Sequence, residues 1–206
     1  MSGQSTVYIV DDDHSVRTSL SLLLEAEGFK VRAHESGEAF LDGYDDRNHG
    51  CVILDLRLPG MNGLELQAEL LRRGSCLPIL FLSGYGDVPA TVRAIKAGAE
   101  DFLLKPPDTK FLVDRVRLLV DKSHQLCGRA KEADELRARL SLLSPREREI
   151  LEYALIGLSS KEIANKLALS QRTVENHRLR INKKLDASNL LEFFHRASSV
   201  GVSLLE

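Results

Sequence analysis

The 206-residue sequence lacks the features that mark several large protein classes. It has only three cysteines, Cys51, Cys76 and Cys127, at spacings that match no zinc pattern, so neither a disulfide framework nor a zinc module is expected. No apolar run approaches the ~20 residues that a membrane-spanning helix requires, so no membrane contact is expected. The opening MSGQSTVYIVDDD has no basic stretch followed by an apolar one; no secretory signal is expected, and a reducing cytoplasm is the expected compartment. There, Cys51 and Cys76 read as small buried hydrophobes and Cys127 as an exposed thiol. Glycine is absent from the first strand-to-helix turn, DDDHS, whose three carboxylates would repel phosphates, and this excludes a dinucleotide fold.

What is present suits a globular chain of two small domains: 43% of residues are hydrophobic and 28% charged. The net charge of -2 conceals an asymmetry. Residues 1–122 carry 14 Lys+Arg against 19 Asp+Glu, 123–140 carry 4 against 3, and 141–206 carry 10 against 8. Within 160–186 the count is 7 against 3, so the rear half has a locally basic stretch suited to a polyanion.

The front half alternates strand and helix. Apolar, β-branched runs predict strands at 6–10, 29–33, 51–54, 78–82 and 101–104. Between and after them, helical spacing predicts helices at 14–27 with Gly28 as C-cap, a short one opened by Ser36 and closed by the acidic loop YDDRNHG, and further helices at 63–73, 88–97 and 109–122. Five strands alternating with five helices specify a doubly wound α/β domain with a five-stranded parallel sheet.

Polar residues stand at four of the five strand ends: Asp11 and Asp12, Asp55, Ser83, and Lys105. Parallel strands bring these ends to one edge of the sheet, where ligands bind in such folds. Carboxylates crowded together repel unless a cation sits among them, and a hard cation with few protein oxygens is the Mg2+ pattern. Asp12, Asp55 and the Arg57 carbonyl are candidate ligands, with Asp11 acting directly or through water. A carboxylate beside Mg2+, a lysine and a hydroxyl is equipped for nucleophilic phosphoryl transfer, with Asp55 as the attacking group. A phosphoaspartyl phosphatase is disfavoured, because Arg57 stands two residues after Asp55 where such enzymes keep a second acid.

The segments IVDDD, LDLRLPGMNG, FLSGYGD and DFLLKP, in this order and over about 4–122, resemble the signature of response-regulator receiver domains, the CheY-like fold. The resemblance implies that Asp55 takes a phosphoryl group from a sensor histidine kinase, that Asp11 and Asp12 hold Mg2+, and that Ser83 and Lys105 bind the phosphate. It also implies that Phe102 changes rotamer as the Ser83 hydroxyl moves, so the chain is a phosphoacceptor and not an enzyme in the usual sense. Ser83 stands where threonine is common, and Pro107 follows Lys105-Pro106 where phenylalanine is frequent.

A connector at 123–140 places Leu126, Ala130, Ala133, Leu136 and Leu140 at spacings of three or four, a helix with a narrow apolar stripe. Gly128 weakens it by about 1 kcal/mol relative to alanine and marks a possible bend. This linker helix is either a solvated spacer or an element that pairs with its copy or docks on a domain. Four helices follow in 141–206, an all-α helix-turn-helix domain. Ser144 with Pro145 opens the first, Ser159 or Ser160 the second, and Ser188 the fourth, with Leu190, Leu191, Phe194 and Ala197 on its apolar side. In the third, Val174, His177, Ile181 and Leu185 face the core, and Arg172, Glu175, Asn176, Leu179 and Lys183 face away.

LSPREREIL, GLSSKEIANKL and SQRTVENHRLRINKKL resemble the LuxR-type DNA-binding domain, and with the front half the chain resembles a response regulator of the NarL/FixJ family. That resemblance implies that Glu175, Asn176 and Leu179 meet bases of double-stranded DNA. It implies that Lys161, Arg172, Thr173, His177, Arg180 and Lys183 contact the backbone or seat the helix, His177 being alternatively core. Glu175 either reads a cytosine amino group or keeps register. The expected function is transcriptional regulation switched by phosphorylation of Asp55, with homodimerisation of the receiver through Val88, Val92, Arg93 and Ile95, the fourth helix of the rear domain as a second dimer contact, and RNA polymerase as a further partner. The alternative is a phosphate sink or docking regulator whose helical domain binds protein.

Overall fold

A computed structural model describes residues 5–45, 49–84 and 88–204. Positions 1–4, 46–48 of the acidic loop and Tyr85, Gly86 and Asp87 of the FLSGYGD segment lie outside the described residues. The chain divides into two compact units, Met1–Cys127 and Gly128–Glu206.

The first unit runs β1 (Thr6–Val10), α1 (His14–Ala26), β2 (Lys30–His34), α2 (Gly37–Asp42), β3 (Gly50–Leu54), α3 (Gly63–Arg72), β4 (Ile79–Ser83), α4 (Val88–Lys96), β5 (Asp101–Leu104) and the start of α5 (Thr109–Ser141). All strand pairs are parallel, in the order β2-β1-β3-β4-β5. Strand alternation supplies two apolar layers. Tyr8, Val10, Val52, Leu54, Ile79 and Phe81 pack with Phe40 of α2, Leu66 and Leu70 of α3 and Ala90 and Ala94 of α4. Val7, Ile9, Cys51, Ile53, Leu80 and Leu82 pack with Leu20 and Leu24 of α1 and Leu112, Val116 and Leu119 of α5. The chain reverses its winding between β1 and β3, and this is where the ligand crevice of such sheets opens.

β2 begins one residue later than the expected 29–33. Gly28 at φ 87 closes α1, and Phe29 N–H donates to the Leu24 carbonyl at 3.0 Å, so Phe29 is spent on the helix stop before pairing starts at Lys30. β4 likewise begins at Ile79, because the Pro78 carbonyl accepts from Val52 N–H while the ring has no N–H to return. Cys51 is buried as expected, whereas Cys76 and Cys127 are half-buried. Helix five and the connector form one helix, α5, and Gly128, read as a bend point, lies inside it with open space where a side chain would stand. Ser123 accepts from Gly50 N–H at 3.1 Å, so contacts of the first unit continue past residue 122.

The second unit holds the last part of α5 with α6 (Pro145–Leu155), α7 (Ser160–Leu167), α8 (Gln171–Leu185) and α9 (Leu190–Ser199). Capping boxes, Ser144 with Glu147 and Ser159 with Glu162, start α6 and α7. Ala168 at φ 52 ends α7 and turns the chain within two residues to Ser170, the N-cap of α8. Of the connector stripe, Ala133, Leu136 and Leu140 join the core of this unit with Ile150, Ile163, Val174, Ile181, Leu185 and Phe193, while Leu126 and Ala130 stay exposed. Asn189, not Ser188, caps α9. Its buried face is Phe193 and Ala197 with Leu190 half-buried; of the residues expected on its apolar side, Leu191 and Phe194 stand exposed, because burying the i, i+4 pair turns residues 191 and 194 outward.

Candidate functional site

The edge of the sheet assembles as the strand ends require. Asp11 follows β1 and Asp55 follows β3, and Asp55 N–H donates to the Val10 carbonyl at 2.8 Å, so pairing of the two strands sets the carboxylates side by side. Asp11 is 2% exposed, Asp55 8% and Ser83 1%, whereas Asp12 is exposed. Carboxylate oxygens of Asp11, Asp12 and Asp55 lie within 4.8 Å of one another. Lys105 Nζ lies 2.5 Å from Asp11 Oδ2 and 2.7 Å from Asp55 Oδ2, one ammonium between two buried acids. Burial pushes the Asp11 carboxyl above its ordinary value despite the Lys105 hydrogen bond. In Lys105, burial opposes the charge, but the bonds to Asp11 and Asp55 outweigh it and raise its pKa.

β5 pairing delivers Lys105, whose backbone N–H donates to the Ser83 carbonyl at 2.9 Å, placing lysine and serine on adjacent strands. Arg57 N–H approaches Asp55 Oδ1 at 3.3 Å, which folds the β3–α3 loop back over the acid. Phe102, three residues before the lysine, is half-buried with its ring stacked 6.1 Å from Phe81. Asp13, the third acid of the run, is the N-cap of α1, accepting from Ser15 and Val16 N–H, which hold its carboxyl below the usual range. The Pro106-Pro107 pair does not delay α5, which Asp108 starts by accepting from Phe111 N–H at 2.8 Å. Val88, Val92, Arg93 and Ile95 are all exposed on α4.

Three supports escaped the sequence reading. Arg17 Nη1 donates to the Asp11 carbonyl at 2.8 Å, Glu38 Oε1 accepts from Met61 N–H at 2.9 Å in the β3–α3 loop, and Gly63 brings its backbone against Asp55, where a Cβ would lie 2.3 Å from the Asp55 carbonyl oxygen. The tight PGMNG turn was the only available signal, and it says nothing of which helix braces it.

In the second unit, Lys161, Arg172, Glu175, Asn176, Leu179, Arg180 and Lys183 are exposed, with Leu179 at 68%. Thr173 is half-buried and tied to the Ser170 cap by a 2.8 Å hydroxyl contact. His177 is half-buried, with a buried Nδ1 that has no partner among the described residues, so the structure places it toward the core. Arg139 and Lys184, unmarked in the sequence reading, hold the C-terminal end of α8: Arg139 Nη1 donates to the Leu185 carbonyl at 3.1 Å, and Lys184 Nζ to Glu147 at 2.6 Å.

Comparison with known proteins agrees with both halves. The family described as "Response regulator receiver domain" matches residues 7–117, and "Bacterial regulatory proteins, luxR family" matches 141–197. The transcriptional regulatory protein FixJ of Azorhizobium caulinodans is 42% identical over 96% of this chain and 93% of its own, and TdiR of Thauera aromatica 44% over 95% and 87%. Among solved structures, the response regulator StyR superposes with TM-score 0.83 at 37% identity over 96% of this chain and 100% of its own. Full-length FixJ from B. japonicum gives TM-score 0.57 at 36% identity over 98% and 99%. No described helix is long and apolar enough to cross a membrane. The chain therefore belongs to the response regulators that join a receiver domain to a LuxR-type DNA-binding domain, and is a DNA-binding response regulator of a two-component system.

Proposed function

We propose that Asp55 is the phosphoacceptor of this regulator and that its phosphorylation drives receiver dimerisation and control of transcription. The observation that carries this reading is the single Lys105 ammonium held between the buried carboxylates of Asp11 and Asp55. One Asp55 oxygen attacks phosphorus in line; its O–P bond forms as the N–P bond to a kinase histidine breaks, and the electron pair stays with the leaving imidazole. The Lys105 ammonium exchanges carboxylate contacts for equatorial phosphoryl oxygens, and the Ser83 hydroxyl donates to another.

The donor set fits Mg2+: three carboxylates converge, all ligand atoms are oxygen, and the site already gathers around positive charge. Asp11, Asp12, Asp55 and the Arg57 carbonyl would hold the ion, which when bound neutralises phosphoryl charge. The alternative to a bound ion in its absence is the ammonium of Lys105, which by itself compensates only part of the three charges.

Ser83 and Phe102 form the switch, and the exposed Val88, Val92, Arg93 and Ile95 the receiver's dimer face. The outer face of α8, with Lys161, enters duplex DNA through Glu175, Asn176 and Leu179 at bases and Arg172, Thr173, His177, Arg180 and Lys183 at backbone or in seating the helix. Residues 1–122 act as the phosphoacceptor domain, 123–140 as linker and 141–206 as the DNA-binding domain, in the cytoplasm, with RNA polymerase as downstream partner. The test is Asp55→Asn treated with acetyl phosphate or beryllofluoride and followed by light scattering. The wild type is expected to dimerise and the variant to stay monomeric; a variant that still dimerises on donor addition overturns the mechanism.

A further inference from the structure

The recognition helix carries five cations, Arg172, Arg178, Arg180, Lys183 and Lys184, and one acid, Glu175. That acid is on the exposed side: Val174, Ile181 and Leu185 are buried, while Glu175 shares the outer face with Arg172, Asn176, Leu179 and Lys183. It lies in the second turn of α8, near the end that reaches base edges when such a helix enters the major groove. A carboxylate there is repelled by every phosphate, so it weakens binding to duplex DNA unless it meets a donor.

Two features keep Glu175 available for one. Among the described residues no cation pairs with it, although Arg172 and Arg178 are each three positions away. Gln171, one turn earlier, donates from Nε2 to Glu175 Oε1 at 2.9 Å, which fixes the carboxylate and leaves Oε2 to accept from outside the protein. In the major groove the donors are the exocyclic amines of cytosine and adenine. Adenine sets its own N7 acceptor beside the amine, where it opposes a carboxylate; on cytosine the corresponding neighbour is the apolar C5–H edge.

Resting on the DNA-binding reading of α8, we propose that Glu175 is a specificity-determining residue that selects cytosine at one position of each half-site by accepting from N4, with Gln171 as its positioning residue. Where another base stands, the carboxylate is left desolvated without a donor and faces phosphates, so Glu175 also rejects unrelated duplexes. Specificity is gained here by a repulsive group, against the trend of a basic helix.

The test is selection from a random duplex pool by the full-length chain treated with acetyl phosphate, for the wild type, Glu175→Gln, Glu175→Ala and Gln171→Ala. Wild type is expected to enrich sites with cytosine at one fixed position per half-site. Glu175→Gln should move that position to adenine, whose N6 and N7 match an amide. Glu175→Ala should flatten that position alone, by roughly tenfold in preference, and bind an unrelated duplex more tightly than wild type. Gln171→Ala should weaken the same position to a lesser degree. The proposal is overturned if both Glu175 variants enrich the wild-type motif, or if they lose affinity equally for all duplexes. A wild type that enriches no duplex at all overturns the DNA-binding reading itself, and is thereby distinguished from failure of the Glu175 assignment.

Discussion

Lys184 Nζ and Glu147 Oε2 lie 2.6 Å apart, joining the start of α6 to the last turn of α8. The same lysine donates to the Leu142 carbonyl at 3.0 Å, and Glu147 Oε2 also accepts from Ser144 N–H at 2.8 Å. Glu147 is among the few buried charged residues of the second unit, so the pair seats α8 on its scaffold with the carboxylate shielded while water still reaches the Lys184 ammonium.

This pair makes the second unit sensitive to acid. Burial pushes the Glu147 carboxyl up, but Lys184 and the Ser144 amide and hydroxyl outweigh it and hold it at about 2, below its ordinary 4.5. A depressed native value stabilises the fold fully above pH 4.5, and the contribution is lost as pH falls toward 2. Glu147→Gln is expected to cost about 1–3 kcal/mol near neutrality and to flatten that part of the pH profile, measured by urea unfolding between acid and neutral pH. Parallel profiles for variant and wild type would falsify the assignment.

Lys105 competes with any cation for Asp11 and Asp55. Lys105→Met should therefore lower stability without metal, because two buried carboxylates lose their counter-charge, and should enlarge the rise in Tm that Mg2+ produces. Phosphorylation from acetyl phosphate, read by intact mass, should fall at least about tenfold, since the equatorial oxygens lose their ammonium partner. Equal Mg2+ effects on Tm in both proteins would contradict the competition.

The family match to the DNA-binding domain starts at 141, but the core of the second unit starts earlier, with Ala133, Leu136 and Leu140. Leu136, fully buried, should cost about 2–5 kcal/mol when changed to alanine. A fragment of 128–206 should unfold cooperatively in urea, while one of 141–206 should be much less stable and bind duplex DNA more weakly. Equal midpoints for the two fragments would show that the stripe adds nothing.

Gly63 and Gly60 differ in what a methyl group would meet. At Gly63 a Cβ would sit 2.3 Å from the Asp55 carbonyl oxygen and 3.0 Å from the Phe81 ring, so backbone must move beside Asp55. At Gly60 it would meet the end of the Glu38 side chain at 2.6 Å, which can swing away, and the main cost is φ +72, about 1–2 kcal/mol. Gly63→Ala is expected to slow acetyl-phosphate labelling strongly, and Gly60→Ala only mildly at a comparable loss of Tm. Equal labelling rates would remove the distinction.

Much of the candidate site was legible because its residues stand at strand ends. Apolar runs that stop on Asp11, Asp55, Ser83 and Lys105 place those groups on one edge once the strands are parallel, whatever the loops do. The supports were not legible: Arg17 on the Asp11 carbonyl and Glu38 on Met61 N–H join separate elements at no fixed spacing.

Local periodicity and capping chemistry therefore determined, from sequence alone, the α/β order, the helix-turn-helix, the serine cap of α6, and the group of acids with a lysine. Tertiary packing decided the rest. It chose Asp13 as the cap of α1 and left Asp11 to share an ammonium with Asp55, it drew three of the five connector-stripe residues into the second unit's core, and it buried Phe193 while turning Phe194 out. In each case the competing residues have similar local propensity, and contacts with other elements separate their free energies.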